Sequence, residues 1–492
     1  MINSTNKAEN LFPNNVGLFK KFMFLAILVM ILSCSTITNA SQTTSRQIVN
    51  NDELNLLKNT SNNNLSYIGE DGNIWITDGN KDLKITDFSQ KSKELPISSY
   101  YWSPDGKKIA VEAQSGIYIF ILSPTSIDRH FLGLTSFLLG DLPQPWSPDS
   151  QKILTTQLGF RTLDLWEIIN NQTLEKKTVI KPLSLGSHFI WLPDSESFVM
   201  SLENSMVEIG TGTLCSGYGT KIKISIVNIQ TLSKDTVYEN WGDAFDVFEN
   251  KIVIIGEDDG CAQFPLVYDL EKSQILKFDQ AVDESILLSF DDHRDNTAIF
   301  TTLSMLDSSQ GILLFDTDTM SYNNIKFGEI IKFTGFKANS GGYFWSKNKE
   351  TLFFTNNVFL EGKSIIIRVD VQSKKMYPFI GDKKSEPQFA IDLPNAQIAG
   401  ILNDGNMLVY GAQSGQVISL YYVNIETSQI RRLGNAAFWV DPSYFGQTKS
   451  GSLVVQATDI QTQLINIYLI DVDGSIIKII NNASQPNWQS AE

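Results

Sequence analysis

Three histidines, three cysteines and 54 acidic side chains are the groups from which this 492-residue chain would have to build chemistry. The histidines are His130, His188 and His293, and no two have the i, i+4 spacing that sets two metal ligands on one helix face. A serine nucleophile raised on a strand-to-helix turn needs G-x-S-x-G. The nearest string, Gly186-Ser187-His188, lacks the second glycine and reads as entry to a strand ahead of Trp191. No phosphate-cradling loop or dinucleotide fingerprint occurs. A glycosidase-type carboxylate pair cannot be chosen among so many acids. The expectation is therefore no catalytic residue, no metal centre and no cofactor.

Two cysteines carry more information. Cys215 stands in the glycine-rich stretch 210–219 with Tyr218, and Cys261 follows Glu257, Asp258, Asp259 and Gly260. If these two loops are neighbours, an oxidising compartment would let the thiols pair. Closing a span of 46 residues would stabilise by up to roughly 4 kcal/mol in the chain-entropy model. The other reading is two separate thiols. The three carboxylates could collect Ca²⁺, which needs several oxygens, but no D-x-D-x-D-G loop is present and a solvated turn is the plainer reading. A loop rim stiffened by a disulfide suits recognition. Tyr218, Glu257, Asp258 and Asp259 are accordingly the candidate binding residues.

The third cysteine belongs to the N-terminus. Lys20 and Lys21 precede an apolar run from Phe22 to Leu32. Eleven apolar residues fit a secretory h-region and are short for a spanning helix, which needs about 20. Ile31-Leu32-Ser33-Cys34 resembles a bacterial lipobox, with Leu32 bulkier than the usual residue at its place. The resemblance implies that residues 1–33 are removed and Cys34 carries lipid, with more than one acyl chain for stable anchoring. Cleavage after Thr38-Asn39-Ala40 would instead release a soluble protein, and an uncleaved segment would remain as a short anchor. All three place the folded part outside the cytoplasm. Residues 34–64, rich in Ser, Thr and Asn, read as a flexible tether.

The elements that must position these residues are repeats. Trp102-Ser-Pro104-Asp105-Gly106, Trp146-Ser-Pro148-Asp149-Ser and Trp191-Leu-Pro193-Asp194-Ser recur at steps of 44 and 45 residues, with a degraded copy at Trp345. Four-stranded propeller blades repeat at about 40–45 residues. Proline presets φ for a type I turn, and the Gly or Ser that follows Asp takes the strained position. The motif therefore closes a hairpin between the first and second strands, with Trp packing between blades. Short β-branched and aromatic runs bounded by turn residues continue without the motif over 244–278, 286–328, 397–433 and 443–480. Residues 65–88 supply only three strands, and Gln485-Pro486-Asn487-Trp488 would add the fourth and close the ring, removing open sheet edges. The expectation is an all-β propeller over 65–489 with eight or nine blades. Cys215 and Cys261 would then lie in equivalent loops of consecutive blades, on one face.

The W-S-P-D-G motif with the following I-A-V resembles the TolB-like propeller repeats of bacterial envelope proteins, also present in prolyl-oligopeptidase-type enzymes. The resemblance covers residues 65–489. It implies a propeller but brings no partner and no catalytic residue, because the companion domains of those groups are not seen in the sequence. Net charge is −15, which repels phosphate backbones and argues against a nucleic-acid partner. The functional expectation is a non-catalytic extracytoplasmic scaffold binding an envelope protein, peptide or glycan on its loop face, and meeting the membrane through its lipid. The alternative is an enzyme of lyase or glycosidase type with a site in the central channel.

Overall fold

Short β-branched runs separated by tight turns can satisfy their backbone groups only by pairing with neighbours in antiparallel sheets. A computed structural model shows that arrangement: every described element is a strand and no described residue is helical. The structure describes residues 45–48 and the strands and most turns between 65 and 488; residues 1–44, 49–64, 205–220, 258–262, 277–285, 334–342, 381–396 and 489–492, with shorter stretches between strands, lie outside the description. Cys34, Cys215, Tyr218, Asp258, Asp259 and Cys261 fall among the latter.

The blades are four-stranded and antiparallel. The first is built in the order Ser484–Trp488, Leu65–Ile68, Ile74–Thr77, Asp82–Lys84. The C-terminal strand thus completes the sheet begun at residue 65, with Leu65 opposite Trp488 and Ser66 opposite Asn487. The Ser66 hydroxyl donates to Asn487 O at 2.8 Å, and Tyr100 of the next blade donates to Gln485 O at 2.6 Å. The second blade runs Ile97–Trp102, Lys108–Ala113, Gly116–Leu122, Ser126–Gly133, and the third Thr135–Ser136, Lys152–Gln157, Thr162–Ile169, Thr173–Ile180. The first strands of neighbouring blades touch one another, as Tyr343–Trp345 does Gln397–Ile401 and Phe438–Gln447 does Ser484–Trp488. These first strands are the inner edges that line a propeller's channel.

The expected count of eight or nine blades is not what the sheets give. Among the described residues, seven sheets each stand as one complete blade, six of four strands and one of five, with a small three-stranded sheet beside them. The pattern over 188–278 reads as two further units, but it folds as one seven-stranded sheet. Its strand Lys234–Phe248 is 15 residues long. The first half of that strand pairs with Lys221–Asn228 and the second with Lys251–Glu257. Pattern counting separates units wherever hydrophobic runs pause, whereas here one strand changes partner between Trp241 and Gly242 and carries on through a bulge between Asp243 and Phe245. A second departure concerns the tether. Ser45–Ile48, within it, forms a fifth strand on the outer edge of the second blade, with Ser45 opposite Arg129 and Ile48 opposite Ser126.

The motif turns show why those residues recur. Gly106 N–H donates to Ser103 O, Ser150 N–H to Ser147 O and Ser195 N–H to Leu192 O, at 2.8, 2.8 and 3.1 Å. The closing residue has positive φ in each: 64° at Gly106, 60° at Ser150 and 56° at Ser195. Serine tolerates that strained conformation because its hydroxyl reaches the preceding blade. Ser150 Oγ accepts the Asp105 N–H and Ser195 Oγ accepts the Asp149 N–H, both at 2.9 Å. Asp105 and Asp149 cap their own turns through Lys107 and Gln151 N–H, and Asp194 does so through Glu196 and Ser197 N–H. Pro193 and Asp194 are exposed at the tip of their turn, while Trp191 beneath is buried.

Packing between blades supplies the core. Trp102, Trp146, Trp191 and Trp345 are all buried. Trp102 Nε1–H donates to Ser66 Oγ, Trp146 to Tyr101 O and Trp191 to Pro145 O, each toward the preceding blade. Ala110, Ile119, Trp146, Ile153 and Trp166 form one such inter-blade cluster, and Leu154, Leu165, Phe189, Phe198 and Val227 the next.

Candidate functional site

Among the described residues, the inner ends of the second and third blades gather a cluster of polar groups that bond one another across the two blades. Ser99 and Tyr101 sit on the inner strand Ile97–Trp102, where the register shifts between Ile97 and Ser99. Such a bulge re-aims side chains. Glu112, at the end of the second strand, is only 6% exposed. Its carboxylate accepts hydrogen bonds from Ser99 Oγ at 3.2 Å and Ser136 Oγ at 2.5 Å. Ser136 belongs to the inner strand of the next blade, so one carboxylate joins two blades across the rim. Thr156 donates to Ser136 O at 2.8 Å and holds that strand in place.

Tyr101 is the second polar anchor. Its ring meets Phe137 edge-on at 5.2 Å. Burial pushes its phenol above its ordinary value, a bond with Ser99 works against that, and the Glu112 charge adds to it. The phenol therefore stays protonated and able to donate at neutral pH. Behind the rim, Thr135 and Thr162 are the register partners of Gln157 on the strands that flank it in the third blade. Both hydroxyls are buried without a hydrogen-bond partner among the described residues. Asp164, fully buried, pairs with Lys176 Nζ at 2.6 Å.

The turn after Glu112 is fixed by glycine. Gly116 has φ +129°, and a Cβ there would lie 2.0 Å from Gly133 O. Only glycine permits that close approach, which holds the start of the third strand, opposite the end of the Glu112 strand, against the outer strand.

This rim lies at the same strand ends as the loops expected to bind. Glu112 precedes the connection between the second and third strands of its blade, as Asn204 and Glu257 precede the connections that carry Cys215 and Cys261. Within the seven-stranded sheet, Asn204, Lys221 and Trp241 form one row, and Gly242 and Gly256 continue it. Both cysteine loops thus spring from one side of one sheet. Glu257 ends its strand opposite Gln263. His188 opens the strand that leads to Trp191, as the sequence reading has it, and His293 pairs with Ala298.

The other buried charges are engaged within the scaffold. Lys108 Nζ bonds Asp105 at 3.0 Å; Lys152 Nζ bonds Asp149 at 3.0 Å and Glu196 of the following sheet at 3.2 Å. Burial acts upward on Asp105 and Asp149, but bonds from serine hydroxyls, backbone N–H and lysine bring both below the ordinary carboxylate value. Asp71 behaves alike: burial acts upward, yet Lys84, Trp75 and the Asn73 N–H bring it down to about 2.

Sequence reasoning did not single out Glu112, Ser99, Tyr101 or Ser136. Each reads locally as one polar residue in an alternating strand, and only the juxtaposition of two blades joins them.

No family model matches the chain, and no curated protein matches it. Solved structures do. A structure described as the eukaryotic initiation factor superposes with a TM-score of 0.54 at 12% identity, over 87% of this chain and 99% of that one. Dipeptidyl peptidase 4 of Porphyromonas gingivalis gives 0.43 at 8% identity, over 67% of this chain and 52% of that one. Oligogalacturonate lyase of Vibrio parahaemolyticus gives 0.38 at 10% identity, over 79% and 100%. At such identities the likeness shows the propeller fold alone.

Proposed function

We propose that this chain is a non-catalytic recognition scaffold of the TolB-like repeat type, held outside the cytoplasm by lipid on Cys34. Its ligand is an envelope protein, peptide or glycan bound on the face that carries the Glu112 rim and the Cys215 and Cys261 loops. The observation that carries this reading is the rim itself. Two hydroxyls, from Ser99 and Ser136, bond one carboxylate at the inner edge of two blades, and the Tyr101 phenol, bonded to Ser99, lies within reach of its charge. Rigid strands presenting hydroxyl donors and a carboxylate acceptor suit polar ligands such as glycans and extended peptides. The acidic surface keeps nucleic acid away. Tyr218, Glu257, Asp258 and Asp259 would extend the same face outward, and a Cys215–Cys261 disulfide would stiffen it.

The test is binding of the intact protein to glycan and peptide arrays, repeated with Glu112→Gln and Tyr101→Phe. Retained ligands that weaken about tenfold in either variant, at the cost of one charge-assisted hydrogen bond, support the reading. Turnover of an oligosaccharide or peptide by the intact protein would overturn it in favour of an enzyme with a channel site.

A further inference from the structure

The four residues Ser45–Ile48 pair with the outer strand of the second blade, in register Ser45–Arg129, Arg46–Asp128, Gln47–Ile127, Ile48–Ser126. Nothing in the repeat pattern calls for that strand, because the blade already has its four. An outer edge strand leaves a row of N–H and C=O groups open to any added chain. Here the added chain comes from the N-terminal side of the propeller itself.

We infer that this strand is a strap that shortens the leash between membrane and propeller and selects the second blade's outer edge as the membrane-proximal side. This rests on the lipidation of Cys34 proposed above. Without the strap, thirty residues (35–64) separate the lipidated residue from the first blade strand at Leu65. At about 3.3–3.6 Å per residue the leash would reach roughly 100 Å. With Ser45 docked, ten residues remain (35–44), and the reach falls to about 35–40 Å. The partner of this edge is therefore the lipid surface, brought near by a short tether. Polar side chains flank the pairing: Asp128 and Arg129 lie on the docked strand's partner, and the Arg129 guanidinium is stacked 4.4 Å from the Tyr118 ring and 4.9 Å from Phe88. That stacking stiffens the edge that receives the strap.

The experiment uses the full lipidated chain in vesicles of phosphatidylethanolamine and phosphatidylglycerol. A fluorescent donor is placed through a bio-orthogonal side chain at Leu134, which is 60% exposed and follows the strap's partner strand. Acceptor lipid reports its distance from the membrane. The double variant Arg46→Pro/Gln47→Pro breaks the pairing: alternate residues of an antiparallel strand face the partner, so one of the two prolines removes a ladder donor. A second variant keeps the strap and inserts about twenty Gly/Ser residues between Asn39 and Ala40, which lengthens the leash. Energy transfer should be high in the unaltered chain and should fall in both variants. Amide exchange at Ile127 and Arg129 should speed by at least about tenfold in the proline variant and stay slow in the insertion variant. Equal exchange in all three chains overturns the strap, whatever the lipid does. Slow exchange released by the prolines, in a chain that carries no lipid, overturns the anchor reading and the leash with it. Protected amides with transfer unchanged by either variant overturn the leash alone.

Discussion

Serine at the fourth place of the motif turn illustrates how a single side chain settles a conflict between local and inter-blade energetics. Positive φ at Ser150 and Ser195 costs about 1 kcal/mol or more for a residue with a Cβ. The hydroxyl offsets that by accepting an N–H from the preceding turn. Ser150→Ala keeps the strain and loses the bond, so it should lower stability by about 1–2 kcal/mol, read by chemical denaturation. Ser150→Gly relieves the strain while losing the bond, and should cost less than Ser150→Ala; a larger cost would contradict this account. His130 provides a second test at this scale. It is buried, and neither ring nitrogen has a hydrogen-bond partner among the described residues. Burial lowers its pKa below the ordinary 6.5, with Asp128 opposing. The unfolded imidazole therefore binds a proton at higher pH than the folded one. Its contribution is complete above about pH 6.5 and is lost as pH falls below that value toward the folded pKa. Melting temperature should drop between pH 7 and pH 5, and His130→Leu should flatten that drop. Asp105 and Asp149 act lower, since their depressed values withdraw stability only as pH falls through the carboxylate range.

Strands and turns were legible in the sequence to different degrees. The motif turns at Gly106, Ser150 and Ser195 fall where Pro-Asp-Gly/Ser predicts, because turn chemistry is local. The C-terminal strand was also legible: the first blade lacked one strand, and Ser484–Trp488 supplies it. Removing residues 484–492 should expose the Leu65–Ile68 edge and lower the melting temperature by several degrees, about 1–3 kcal/mol of lost pairing and burial. An unchanged melt would mean that the ring does not depend on this closure. Two elements escaped. The Lys234–Phe248 strand contains Asn240, Trp241, Gly242 and Asp243, residues that read as a loop, yet hydrogen bonding runs through them to unite two units. Ser45–Ile48 has the composition of a tether and no hydrophobic alternation. Its pairing is offered by a vacant edge rather than encoded in its own side chains.

For the molecule as a whole, net charge, repeat length and N-terminal segment speak to class and place, while the ligand-facing surface depends on which strand ends come together. Non-reducing peptide mapping should recover Cys215 linked to Cys261, since their loops leave one side of one sheet; free thiols at both would refute the link. Cys34→Ala should abolish lipid labelling of the protein, and labelling that persists would place the anchor elsewhere. By itself the sequence determined an all-β propeller of antiparallel blades, the chemistry of its motif turns and the joining of its two ends. Each of these is written in periods of two residues, in turns of four, or in a repeat of some forty-odd, all short enough to survive in a linear string. Tertiary structure alone decided the number of blades that stand separately, the fifth strand on the second blade and the Glu112 rim. Those depend on contacts between residues tens of positions apart, which fall together only when neighbouring sheets pack face to face and bury their shared side chains.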